Sequence, residues 1–179
     1  MSGPLLVAAT EAELCGYTGL ACGVGPVEAA IATARALASH PPDAVLHVGL
    51  AGGRRLLLGT IVVGAASLYL DLAAAIPVFS RLEPDPALLA AARSALPEAH
   101  VLEIATSATV GRGRGGSEVE GMEGFAVLRA CGLAGIAAVE VRVISNELGE
   151  EDRSRWDVDR ALSALEDAVP GLLAALGGE

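Results

Sequence analysis

The sequence predicts an α/β protein: one domain in three layers, with a mostly parallel but mixed central sheet flanked by helices. Three observations carry that expectation. The candidate strands read as unbroken apolar runs rather than alternating ones, as strands covered on both faces do. These runs alternate with segments of helical apolar spacing, the order that builds layered α/β folds. Finally, the 179 residues contain no repeat and no linker long enough to divide them, and a chain of this length buries a core as a single unit.

Taken in order, GPLLVAA is a short buried strand that opens into TEAE. LACGVGPVEAAIATARALASH reads as a strand, a glycine turn and a helix, with Pro26 near the first turn and Pro41 beyond the end. DAVLHVGLAGG is a further apolar strand running into a glycine turn, and GTIVVGAAS is another strand. DPALLAAARSAL is a helix with Asp85 at the cap and Pro86 at the first helical position. HVLEIATSAT is strand-like, GMEGFAVLRACG helical, and GIAAVEVRVIS a long strand. A closing helix follows Trp156, with Leu162, Leu165, Val169, Leu172, Leu173 and Leu176 at helical spacing.

Composition narrows the function classes. Apolar residues make up 53% of the chain, much of it Ala, and the mean hydropathy is +0.53. Residues 56–70 (LLLGTIVVGAASLYL) fall short of the about 20 needed to span a bilayer, and Asp71 ends the run. The net charge is −10 and every basic residue is Arg, which argues against nucleic acid and anionic membranes as partners. Cys15, Cys22 and Cys131 lack metal-type spacing and read as reduced core thiols. MSGPLLVAA has neither a basic leader nor a long apolar stretch, so no signal peptide and a cytoplasmic location are expected. Neither a metal nor a cofactor is predicted.

The glycine turns are poor phosphate sites. GVGPVE has Glu28 where a dinucleotide fingerprint requires its third glycine, and that charge would face the pyrophosphate. No basic residue precedes GLAGG to share a phosphate's charge, and Arg54 and Arg55 come after it. In parallel sheets, however, ligands gather beyond the carboxyl ends of strands. Glu13, Gly49–Gly53, Glu123 and Asn146 all fall at such ends. Glu123, set among Gly, Met and Phe, is a carboxylate that needs polar partners if buried.

GVGPVEAAIATARAL, VLHVGLAGG, GMEGFAV and VRVISN, with a Trp ten residues on, occur in an order that resembles the purine nucleoside phosphorylase/hydrolase superfamily. ISNELGEEDRSRWDVDRAL is most similar to the futalosine hydrolases, nucleosidases of the futalosine route to menaquinone. The resemblance implies the superfamily's fold and hydrolysis of an N-ribosidic bond with release of hypoxanthine. Glu13 matches the acid that activates the water, with Glu11 as a competitor; an ordinary solvated loop acid is the alternative. Hydrolysis at a ribosyl carbon passes through a cationic state, which a carboxylate both opposes in charge and assists by taking a proton. Glu123 matches the acceptor of the two ribose hydroxyls and Met122 the residue on the sugar face, with Glu120 in support. Charge at a helix start is the alternative reading of Glu123.

Asn146 stands where adenine-specific relatives carry Asp. An amide can donate to a 6-oxo group while accepting from a protonated N7, which favours hypoxanthine over adenine. Equally, Asn146 could cap the turn into NELGEED. Trp156 matches an aromatic near the base or serves as a core plug. In GLAGG, Leu50 replaces the hydroxyl residue of the phosphorylases, next to Ala51 and Gly52 of the same binding turn, which favours water over phosphate. Relative to the family the chain is shortened at 14–22 and 110–117; the glycine-rich second stretch leaves the pocket roof incomplete, or a neighbouring subunit of a homodimer supplies it, as the resemblance implies. Arg112, Arg114 and Arg153 are candidates for a substrate carboxylate, or solvated loop residues. The competing functions are a methylthioadenosine/S-adenosylhomocysteine nucleosidase, a 6-oxopurine nucleoside phosphorylase, and a non-catalytic nucleoside-binding scaffold.

Overall fold

In the computed structural model, residues 3–72, 74–109 and 116–177 are described, and they form eight strands and four α-helices. The strands are β1 (Leu5–Ala8), β2 (Leu20–Ala21), β3 (Ala44–Gly53), β4 (Ile61–Tyr69), β5 (Arg81–Leu82), β6 (His100–Thr106), β7 (Val119–Gly121) and β8 (Ala137–Glu147). The helices are α1 (Pro26–Ser39), α2 (Pro86–Ala95), α3 (Gly124–Ala134) and α4 (Val158–Gly177). Single 3₁₀ turns lie at Ala12–Leu14 and Arg153–Arg155. Arg112 and Arg114, and residues 110–115 of the segment expected to be shortened, lie outside the described residues.

Strand parity sorts side chains to the two faces of the sheet. On one face Leu46 and Val48 of β3 and Val139, Val141 and Val143 of β8 pack with Ala92 of α2 and Leu165, Val169 and Leu172 of α4. On the other, Val7, Val45 and Ala138 pack with Ala29 and Leu37 of α1 and Val127 and Cys131 of α3. Asp85 caps α2 by accepting from the Ala87 and Leu88 N–H groups, and Pro86 begins the helix. Cys15, Cys22 and Cys131 are free thiols, the last two buried.

The sheet is mixed, as expected: β4 runs antiparallel to β5 and β8, and β7 antiparallel to β3. What the three-layer expectation lacked is its closure. The sheet closes on itself, since β3 pairs with β8, β8 with β4, β4 with β6, β6 with β7, and β7 with β3. Ring closure follows from two bulges, at Ala51/Gly52 and Gly64/Ala66, which bend long strands. The ring has its own core of Ala51, Val62, Ile104, Val119 and Ile144, one side chain from each strand. At Gly53 a Cβ would press into Ile144 of β8, so glycine there leaves room for that side chain. The expected helix over GMEGFAVLRACG starts late: Gly121 ends β7, and α3 begins at Gly124.

Candidate active site

Most of the residues that the sequence singled out for the site line one cavity of about 760 Å³. It opens where β1, β3, β7 and β8 end and where the loops toward α1 and α4 begin. Glu13, Leu50, Ala51, Gly52, Met122, Glu123, Asn146 and Trp156 all face it. Glu11 is exposed and is not among the lining residues, so of the two competing acids only Glu13 reaches the cavity.

Glu13 sits on the 3₁₀ turn after β1 and is 8% exposed. Its Oε2 accepts from the Thr10 N–H at 3.0 Å and the Thr10 hydroxyl at 2.7 Å, while Oε1 accepts from the Leu50 N–H at 3.0 Å. Three donors from two strand ends therefore set the orientation of this carboxylate. A carboxylate has about four lone-pair sites, so capacity remains for one further donor.

Glu123 is 3% exposed and precedes the first residue of α3, but its side chain makes no capping bond to that helix. The Thr106 hydroxyl accepts from Phe125 N–H there instead, at 2.8 Å. Glu123 Oε1 accepts from the Gly25 N–H at 3.0 Å, and Oε2 pairs with Arg142 Nη2 at 3.4 Å. Gly25 has φ of 95°, a conformation that L side chains rarely adopt, and it delivers its N–H to Glu123 from the start of α1. The GVGPVE turn thus serves a carboxylate and not a phosphate.

Asn146 is 6% exposed near the end of β8. Its Nδ2 donates to the Glu147 carbonyl at 3.0 Å, and Oδ1 accepts from the Ser145 hydroxyl at 2.9 Å. A carbonyl only accepts, so the Glu147 contact decides which end of the amide is nitrogen. One N–H and one oxygen lone pair are left for a ligand. Trp156 is half-buried, and its Nε1–H donates to the Glu150 carbonyl at 3.1 Å. Arg153 also lines the cavity, with its guanidinium 5.2 Å from the Trp156 ring centre. Among the described lining residues it is the sole cation, beside Glu13, Glu120, Glu123 and Glu151.

Sequence reasoning passed over Arg142, His47 and Glu140, all buried and bonded together behind the cavity. The only signal was Glu140 and Arg142 two residues apart in VEVRV, which puts both on one face of an apolar strand. Arg142 also donates to the Leu50 carbonyl at 3.3 Å, so the Leu50 peptide ties Arg142 to Glu13. Burial is the larger influence on Glu140 and pushes its carboxyl pKa up, although Arg142 pulls the other way.

Comparison with known proteins gives the family. The phosphorylase superfamily matches residues 14–176. A futalosine hydrolase of Streptomyces coelicolor is 35% identical, over 90% of this chain and 80% of its own length. One from Thermus thermophilus is 34% identical, over 91% and 84%. Among solved structures, a methylthioadenosine/S-adenosylhomocysteine nucleosidase of Colwellia psychrerythraea with adenine superposes with a TM-score of 0.87 at 22% identity, covering 100% of this chain and 98% of its own. A futalosine hydrolase mutant of Helicobacter pylori gives 0.87 at 16%, covering 98% and 100%, and both likenesses speak for the fold alone. By descent as well as by fold, the chain belongs to the phosphorylase superfamily, among the futalosine hydrolases.

Proposed function

We propose that the protein hydrolyses the N-ribosidic bond of futalosine and releases hypoxanthine. The observation that carries this reading is the convergence of two oriented carboxylates, Glu13 and Glu123, with the Asn146 amide on one cavity. In this scheme water attacks the ribosyl carbon as the bond to the base breaks. Glu13 takes the water's proton through its remaining lone pair, and its charge opposes the cationic transition state. Glu123, held by Gly25 and Arg142, accepts from the two ribose hydroxyls, each bond being worth about 1.5–3 kcal/mol. Met122 packs on the sugar and Trp156 beside the base, with Leu50, Ala51 and Gly52 forming the floor.

Asn146 uses its spare N–H for the 6-oxo group and its spare lone pair to accept from N7–H, whose proton comes from solvent as the bond to the base breaks, since an amide has none to give. Adenine would set an amino group against that N–H. Water is favoured over phosphate as the nucleophile because four carboxylates and a single Arg line the described cavity, a poor field for an oxyanion. Arg153, at the side of Trp156, is the candidate partner for an acidic group on the substrate. The protein acts as a cytoplasmic homodimer in this reading, with no nucleic acid or membrane partner. Its net charge of −10 disfavours nucleic acid and anionic membrane surfaces.

Incubation with futalosine, inosine and methylthioadenosine, each with and without phosphate, tests the proposal. Free hypoxanthine from futalosine at a phosphate-independent rate is expected. Ribose 1-phosphate products would indicate a phosphorylase, adenine release the methylthioadenosine reading, and no release from any nucleoside a binding protein.

A further inference from the structure

Arg142 is fully buried, and nearly all its donors are committed. Nε donates to Glu140 Oε1 at 2.9 Å, and Nη2 serves both His47 Nε2 at 2.6 Å and Glu123 Oε2 at 3.4 Å. Nη1 reaches the Leu50 carbonyl. His47 and Glu140 do not line the cavity, so they touch neither base nor sugar directly.

We propose that His47 and Glu140 are positioning residues of this site, fixing the Arg142 guanidinium in the one orientation that holds both Glu123 and the Leu50 peptide under Glu13. The proposal rests on the nucleosidase reading above. His47 Nδ1 lies 3.0 Å from the Val7 carbonyl, which can only accept, so Nδ1 carries the proton. Nε2 therefore offers its lone pair to Arg142, and a second ring proton would set donor against donor. Burial, and then the charge of Arg142, push the His47 pKa well below its ordinary value. The charged groups around this pair are Glu140 on its own strand, Glu123 from the start of α3, and Glu13 from the turn after β1.

Gly124 supplies an independent sign that Glu140 is built into the site. A Cβ at position 124 would overlap the Glu140 carboxylate. Any side chain at the first residue of α3 would evict Glu140 from Arg142, so the glycine next to Glu123 and the acid two residues before Arg142 form one unit.

The test compares His47→Leu, His47→Gln, Glu140→Gln and Gly124→Ala by futalosine kinetics and by ¹⁵N NMR of the Arg142 guanidinium. His47→Leu is expected to lower kcat on the order of 10²-fold, as small misplacements of site groups do. KM should rise less, and the Nη signals should average as rotation is freed. His47→Gln, whose amide oxygen can accept from Nη2, should recover most of both. Gly124→Ala should perturb the Nε–H signal as Glu140→Gln does. Unchanged kinetics and unchanged Arg142 signals in folded His47→Leu would overturn the proposal; if that variant does not fold, the same result in Glu140→Gln would do so. Should the wild type release no base from any nucleoside, the nucleosidase reading fails by itself. The guanidinium signals then still decide whether His47 and Glu140 hold Arg142.

Discussion

Glu123 and Gly25, 98 residues apart in sequence, meet at 3.0 Å. The contact joins the first glycine turn to the start of α3 and leaves Glu123 two directions free toward a sugar. Glu123→Gln keeps an oxygen for Gly25 but halves the carboxylate. We expect kcat/KM for the ribonucleoside to fall about 10- to 150-fold, the equivalent of one lost charge-assisted bond. The 2′-deoxy substrate should lose much less, and steady-state kinetics on the pair will show it.

Glu13, held by Thr10 and Leu50, is the proposed base. Glu13→Gln is expected to lower kcat about 10²–10⁴-fold with little change in substrate binding. Single-turnover hypoxanthine release together with calorimetric titration of substrate separates the two quantities.

Arg142 neutralises a crowd of carboxylates in the dry interior. Arg142→Met leaves Glu123 and Glu140 without their cation, and removing one partner of a buried pair costs about 3–5 kcal/mol. Urea unfolding should show the loss as a lower midpoint at unchanged slope.

His47 gives the fold a pH dependence of predictable sign. Its native pKa lies below its unfolded value, so unfolding takes up a proton in the interval between them. Stability is therefore full above about pH 6.5 and falls as pH drops below it, by up to about 1.4 kcal/mol per pH unit. The raised pKa of Glu140 acts in the opposite sense, so the clean measurement is wild type against His47→Gln at pH 5, 6 and 7. Relative to the variant, the wild type should lose stability at the acid end.

Much of the scaffold was legible because strand and helix signals were strong locally. The β3 run, the Asp85–Pro86 start of α2 and the α4 stripe needed only periodicity and capping chemistry. Ring closure was hidden, because β7 is three residues long within a glycine-bordered stretch whose pairing with β3 and β6 is nonlocal. The polar positions at strand ends pointed to the cavity, but the His47–Arg142–Glu140 cluster did not. Its members lie on two strands, and a buried charge in an apolar run reveals its partner only when the strands pair. Glu123 posed its question in sequence, yet its partners, Gly25 and Arg142, required the folded chain.

In the proposed reaction the amide at position 146 chooses the base. The decisive measurement is kcat/KM for futalosine and for the same nucleoside carrying adenine, in wild type and Asn146→Asp. Wild type should prefer hypoxanthine by a factor on the order of 10² or more, since mismatched polar groups discriminate strongly. The variant should reverse the preference. A ratio that Asn146→Asp leaves where it was would contradict the account.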